Sequence, residues 1–364
     1  MRASLVPPQA PARPRGEHVV VGVGARTHAG LNALQATLAT RASKMRPRES
    51  HLVDRHGEPI SMCRIPSIGD DVMGLHRFVA LGAPALMQAT WPWRESFIRL
   101  GHAVPMLPVI VALPSASRPG FDRRFDRELF PWLQSKAGFA FDPKQSLLLT
   151  RDRGGGVQAF KWAMQLLDSG VDAVAVGGID SYFDPDCLEW LDAEYRLHSL
   201  DTENGFIPGE GAAFVLLTRR SRTSGLRKLA SVVGCAVADE PRPYGSDEPC
   251  HGLGMTMAIR EALGPLARAR RISWMLTDVA NERHRVDEWQ LASGRSFKGF
   301  ADDVRHDQPL LHTGDLGAAS AAMLTAMACV HFEVGSALGD VALIATHSDG
   351  PERGAMIVAE EAGQ

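Results

Sequence analysis

A chain of 364 residues with 45% hydrophobic and 22% charged side chains has the composition of a soluble globular protein with a substantial core, which excludes disorder of its bulk. Its formal net charge of -3 argues against a general nucleic-acid footprint. The excess of arginine over lysine, which stands only at positions 44, 136, 144, 161, 228 and 298, reads as genome composition rather than a binding surface.

Residues 1–17 are rich in Pro and Arg and lack the apolar core of a secretory signal, so they read as a flexible tail on a cytoplasmic protein. Val19–Gly24 is an apolar run with the character of a buried strand, and a turn through His28 and Gly30 leads into a helix over Leu31–Thr40. The Gly22-Val-Gly24 pair has the start of a dinucleotide fingerprint, but Thr27 stands where its third glycine belongs. No acidic residue ends a following strand at the right distance, so NAD binding is not expected. Arg41–Asp71 is polar and contains proline, as an irregular excursion would. Leu75–Thr90 has helical apolar spacing despite Pro84, and Val109–Leu113 is a further apolar strand. Phe160, Ala163, Met164 and Leu167 recur at helical spacing, which predicts a buried helix over Gly155–Ser169 with Gly170 closing it. Val171–Val176 follows as a buried strand that ends in Gly177-Gly178.

The second half repeats this pattern. Met255, Ala258, Ile259, Ala262, Leu263 and Leu266 form one helical face, Ile272–Val279 is a strand, and Leu316, Ala319, Met323, Met327 and Val330 mark a long helix. Val341–Thr346 and Ala355–Ala359 read as two closing strands. No apolar run reaches the ~18 residues of a membrane span. The five cysteines, Cys63, Cys187, Cys235, Cys250 and Cys329, contain no CxxC pair, and their spacing signals neither a zinc site nor a disulfide framework.

Two strings carry more than periodicity. The stretch from Arg151-Asp-Arg-Gly-Gly-Gly-Val157 through Gly177-Gly-Ile-Asp180, followed by Gly205-Phe-Ile-Pro-Gly-Glu-Gly-Ala-Ala213, resembles the nucleophile-elbow helix and the GEGA loop of the β-ketoacyl synthases. Order, spacing and the strand after the loop all match that pattern. The resemblance spans residues 18–360 and is diffuse in the second half. It implies a duplicated α/β fold of the thiolase type, layered α-β-α-β-α, with halves at 18–222 and 223–364 split near Arg219–Arg227.

What that family needs can be checked residue by residue. Its nucleophilic cysteine falls on Arg153, next to Gly154, and a guanidinium offers no lone pair for attack on a thioester. Its first histidine falls on Val279 or Asn281. Its second lies in a motif similar to Leu310-Leu-His-Thr-Gly-Asp-Leu-Gly-Ala-Ala-Ser320 and falls on Asp315. His284, with Asp287 three residues on, and His312 stand near the lost positions. Glu210 belongs to the GEGA loop, where the resemblance implies a structural role. The replaced pair, Arg153 and Asp315, carries opposite charges, and a buried arginine at a helix N-terminus needs a carboxylate, so Arg153 is expected to meet Asp315 or Asp152.

These losses imply a chain without catalytic residues, cofactor or metal. The first reading is a non-catalytic accessory protein kept for dimerisation or partner docking, similar to thiolase-like proteins found beside type VI secretion effectors. Its N-terminal strings Gly22-Val-Gly-Ala-Arg-Thr-His-Ala-Gly-Leu-Asn32 and Asp54-Arg-His-Gly-Glu-Pro-Ile60 are similar to theirs. The alternatives are a chain-length-factor-like subunit paired with an active ketosynthase, or an acyltransferase acting on acyl carrier protein thioesters. Each reading implies a homodimer, or a heterodimer with a related thiolase-fold protein, and neither nucleic acid nor membrane as partner.

Overall fold

The computed structural model describes residues 15–44, 46–199, 201–223, 225–266 and 270–361. The expected tail therefore lies outside the described residues, except for its last three positions. The chain runs β1 (His18–Thr27), α1 (Ala33–Arg41), β2 (Arg48–Val53), β3 (Pro59–Met62), α2 (Gly74–Arg99), β4 (Val109–Leu113) and α3 (Phe125–Ala137). It continues through β5 (Leu147–Thr150), α4 (Asp152–Asp168), β6 (Ala173–Ser181), α5 (Pro185–Ala193) and β7 (Glu210–Arg219). The second half is built from β8 (Ala230–Asp239), α6 (Leu253–Leu263), β9 (Ile272–Thr277), α7 (Arg283–Arg295), β10 (Phe300–Asp307), α8 (Leu310–Thr313), α9 (Ser320–Glu333), β11 (Val341–His347) and β12 (Glu352–Glu360).

Ten strands form one mixed sheet in the order β10-β9-β11-β12-β8-β1-β7-β6-β4-β5. Read outward from the centre, each side places its first strand innermost, then its last, then its second-to-last, then its second and third. The pairing repeats too: the two inner contacts are antiparallel and the two outer ones parallel on both sides. The sides meet where β1 and β8 pair antiparallel, from His18 opposite Val232 to Val20 opposite Ala230. This is the duplicated α/β architecture expected from the sequence.

Three apolar cores separate the layers. Val157, Phe160, Ala163 and Leu167 of α4 pack with Met323 and Met327 of α9 between the two sides of the sheet, touching strands of both. Leu75, Phe78 and Leu86 of α2, with Leu129 and Leu133 of α3, cover the outer face of the first side. Met255 and Ile259 of α6, with Trp289 of α7, cover the outer face of the second. The apolar residues of α9 run all round its axis, and it is buried from Ser320 to Phe332, as a helix with sheet on both sides must be.

The Gly22-Val-Gly24 pair has a packing cause. A Cβ on Gly22 or Gly24 would lie 2.0 Å from the carbonyl oxygen of Ala89 or Ala85 respectively, so α2 rests directly on the backbone of β1. The segment Arg41–Asp71, expected to be irregular, contains the antiparallel hairpin of β2 and β3. Charged and polar residues alternate there with few apolar ones, so the strand period is hard to see. The helix read as ending at Thr90 extends to Arg99 with Pro84 and Pro92 inside it.

Candidate active site

Helix α4 begins just after β5, beside the start of β12, and its first turn is unusual. Asp152 adopts a left-handed backbone (φ 54°), a conformation that Asp and Asn tolerate better than most residues. Arg151 provides no side-chain cap. One of the free N–H groups of the first turn, that of Gly154, instead donates to Ser348 Oγ at 2.9 Å, and that hydroxyl donates to the carbonyl of Arg151 at 2.9 Å. The backbones are in contact here: a Cβ on Gly154 would sit 2.5 Å from the carbonyl oxygen of Glu352.

Arg153 points inward from this turn and is 1% exposed. Its Nε donates to Asp315 Oδ1 at 3.3 Å and its Nη2 to Asp315 Oδ2 at 3.0 Å. Nη2 also reaches the Tyr182 hydroxyl at 2.6 Å, and Nη1 reaches Asp152 Oδ2 at 3.2 Å. Both expected carboxylates are therefore engaged, Asp315 through two bonds and Asp152 through one. Asp315 is held in turn from several directions. Arg285 Nη1 donates to its Oδ2 at 2.6 Å, Tyr182 donates to Oδ1 at 3.2 Å, and the Gly317 N–H donates to Oδ1 at 2.8 Å.

The network continues to the surface. Arg285 pairs with Glu282 at 2.6 Å, and Arg196 forks between Glu282 (2.7 and 3.1 Å) and Asp349 (2.7 and 3.1 Å). Three guanidiniums thus share four carboxylates. Burial opposes ionisation of Asp315, but Arg153 and Arg285 outweigh it and hold the carboxyl well below the usual range. Asp349 is depressed in the same way, by Arg153 and Arg196. Asp152 receives the excess negative charge. Burial pushes it up to about 6, since Arg153 compensates only in part and Asp349 adds repulsion.

No protein-family model matches the sequence and no curated protein does. Solved structures match along nearly the whole chain. A chain of the ishigamide ketosynthase/chain length factor covers 95% of this protein and is itself covered in full, with TM-score 0.70 at 17% identity. A chain from the complex of a type II polyketide synthase acyl-carrier protein with its ketosynthase covers 96%, again matched in full, with TM-score 0.76 at 14% identity. The ketosynthase in complex with its chain length factor from Xenorhabdus doucetiae gives TM-score 0.68 at 16% identity over 95% of this chain and 98% of its own.

The fold is that of the ketosynthases. Within it, Arg153, Gly154 and Asp315 come together at the start of α4, while other residues singled out in the sequence have different surroundings. Glu210, fully buried at the start of β7, accepts from Arg77 (2.5 and 2.8 Å), Ser181 (2.9 Å) and the Ile65 N–H (2.8 Å); it locks the loop before α2 to the sheet. His284 lies at the edge of the network, 4.0 Å from Asp349 and stacked on Tyr244 with ring centroids 4.3 Å apart. Burial pulls its pKa down to about 3, so it is neutral at physiological pH. Asn281 is exposed just before α7. His312 lines a separate cavity of about 360 Å³ with Asp307 and His331.

Next to the ketosynthase-fold elbow lies a cleft of about 350 Å³ lined by Asp152, Asp349, Arg118, Arg196, Trp190 and Tyr244. Arg153 is not on its wall. Arg118 on this wall makes a bidentate pair with the buried Asp180 (2.6 and 3.2 Å), two residues beyond Gly177-Gly178. Tyr182, Arg196, Arg285, Glu282 and Asp349 were not singled out from the sequence. Arg285 and Glu282 had a signal, the dense charge run Glu282-Arg-His-Arg285 around the expected histidine position. Arg196 and Asp349 had none, because they meet across 153 positions.

Proposed function

We propose that this chain is a non-condensing partner subunit of the ketosynthase fold, similar to a chain length factor, which pairs with an intact ketosynthase rather than carrying an acyl group itself. The observation that carries this reading is the buried ion-pair network at the start of α4. In the resemblance, that turn presents a thiolate to backbone N–H groups that would stabilise an oxyanion. Arg153 occupies that position with its guanidinium turned inward against Asp315 and Tyr182. Asp315 stands where a histidine would polarise a carbonyl, and as a carboxylate it would repel the oxygen's developing negative charge. Solved structures similar to this chain include ketosynthase and chain-length-factor pairs, which favours a related thiolase-fold partner over docking to an unrelated one.

Co-expression with an intact ketosynthase from the same source tests this. A 1:1 complex that survives gel filtration is expected, with the spectrum of product lengths altered by substitutions in this chain. A chain that elutes unchanged beside the ketosynthase overturns the pairing and returns the accessory reading, partner docking outside polyketide assembly.

A further inference from the structure

At the far side of the second half, three potential ligands from different parts of the chain converge. Glu240 directly follows β8, Cys250 lies in the loop before α6, and Glu288 is in α7. One ligand atom from each of the three lies within 4.8 Å of the other two. Spacing in the sequence gave no sign of this, since the donors are separated by ten and 38 positions with no repeat.

The charges in this group do not balance. Glu240 is 2% exposed and Glu288 3% exposed. Arg353 neutralises Glu288 through two bonds, at 2.5 and 3.0 Å. Among the described residues no cationic side chain pairs with Glu240. Its Oε2 accepts the Gly254 N–H at 2.8 Å, while its buried Oε1 has no hydrogen-bond partner. A buried carboxylate oxygen left without proton, donor or cation is costly. The third member has a donor turned onto it: Gly252, in the left-handed region (φ 63°), directs its N–H at Cys250 Sγ at 3.4 Å. The N-terminus of α6, which begins at Leu253, adds its positive dipole end to the same spot.

We infer that Glu240, Cys250 and Glu288 form a binding site for a thiophilic divalent cation of the zinc type. One thiolate and two carboxylates suit Zn²⁺, whose fourth position would go to water beside the half-buried Cys250. Binding releases the thiol proton to solvent, and the cation replaces it on sulfur. Its charge supplies what Glu240 lacks, and the bonds tie the loop between β8 and α6 to α7.

The test uses the full-length chain, stripped with chelator and titrated with Zn²⁺ and, separately, with Co²⁺. One Zn²⁺ per chain is expected, together with a near-ultraviolet sulfur-to-cobalt charge-transfer band. Cys250→Ser should abolish that band, and Cys250→Ser and Glu240→Gln should each weaken Zn²⁺ binding at least ~10-fold. Both substitutions preserve size, and unaltered circular dichroism of each metal-free variant confirms that it is folded. Absence of the cobalt band in the native chain, or a Zn²⁺ affinity that either substitution leaves unchanged, overturns the site.

Discussion

Asp315 is the residue on which the elbow depends most. It is fully buried, and the two guanidiniums it serves, Arg153 and Arg285, are no more than 1% exposed. Asp315→Ala leaves both facing each other without their shared anion, and the expected loss is about 3–5 kcal/mol in denaturant unfolding. An unchanged midpoint would mean that water or Glu282 takes over the neutralisation. Asp152 behaves in the opposite sense. Its folded-state pKa of about 6 lies above its ordinary value, so the folded protein holds this proton more tightly than the unfolded chain does. The resulting stability is present below the ordinary carboxylate pKa and is lost as pH rises through about 6. Asp152→Asn keeps the side-chain shape, suits the left-handed backbone and removes the titration. Its stability relative to the native chain should rise between pH 4 and pH 7, by up to about 3 kcal/mol. A difference that is flat with pH would place the titrating group elsewhere. The cysteines belong to this scale as well. Burial pushes the thiols of Cys63 and Cys235 up to about 12 and those of Cys187 and Cys250 up to about 11, and raises Cys329 further. None of them is a ready thiolate at neutral pH.

At the scale of elements, α4 owes its central place to small residues. A Cβ on Gly156 would lie 2.6 Å from Ala321 Cβ, so α4 and α9 cross with their backbones close together. Gly156→Val should cost roughly 1–3 kcal/mol by overpacking, seen as a lower unfolding midpoint with unchanged helix content. A neutral result would show that the two helices slide apart freely. Most of this layer is legible in the sequence, because a helix or strand buried on both faces leaves an apolar run: β1, β4, α4, α9 and β11 were read within a few residues of their positions. The hairpin of β2 and β3 was not, since a small sheet with mainly exposed residues carries little apolar alternation. Within the site, the meeting of Arg153 with Asp315 follows from charge complementarity between two aligned positions. The roles of Arg196 and Asp349 do not, because tertiary contacts that join distant loops leave no local pattern.

The whole molecule repeats one strand order on both sides of a central pairing between β1 and β8. In this fold the two sides sandwich α4, so its N-terminal turn is a point where residues from both meet. Asp315 and Asp349 come from the second side, Arg153 and Tyr182 from the first. Such a position suits a nucleophile when the turn carries one. Here it holds charged groups that pair with one another, and the function proposed above is that of a scaffold whose acyl chemistry belongs to its partner. Intact-protein mass spectrometry after incubation with acyl and malonyl carrier protein tests this most directly. The mass of this chain should stay unchanged, with and without the partner ketosynthase. A stoichiometric acyl adduct on this chain, lost when its attachment residue is replaced by alanine, would contradict it.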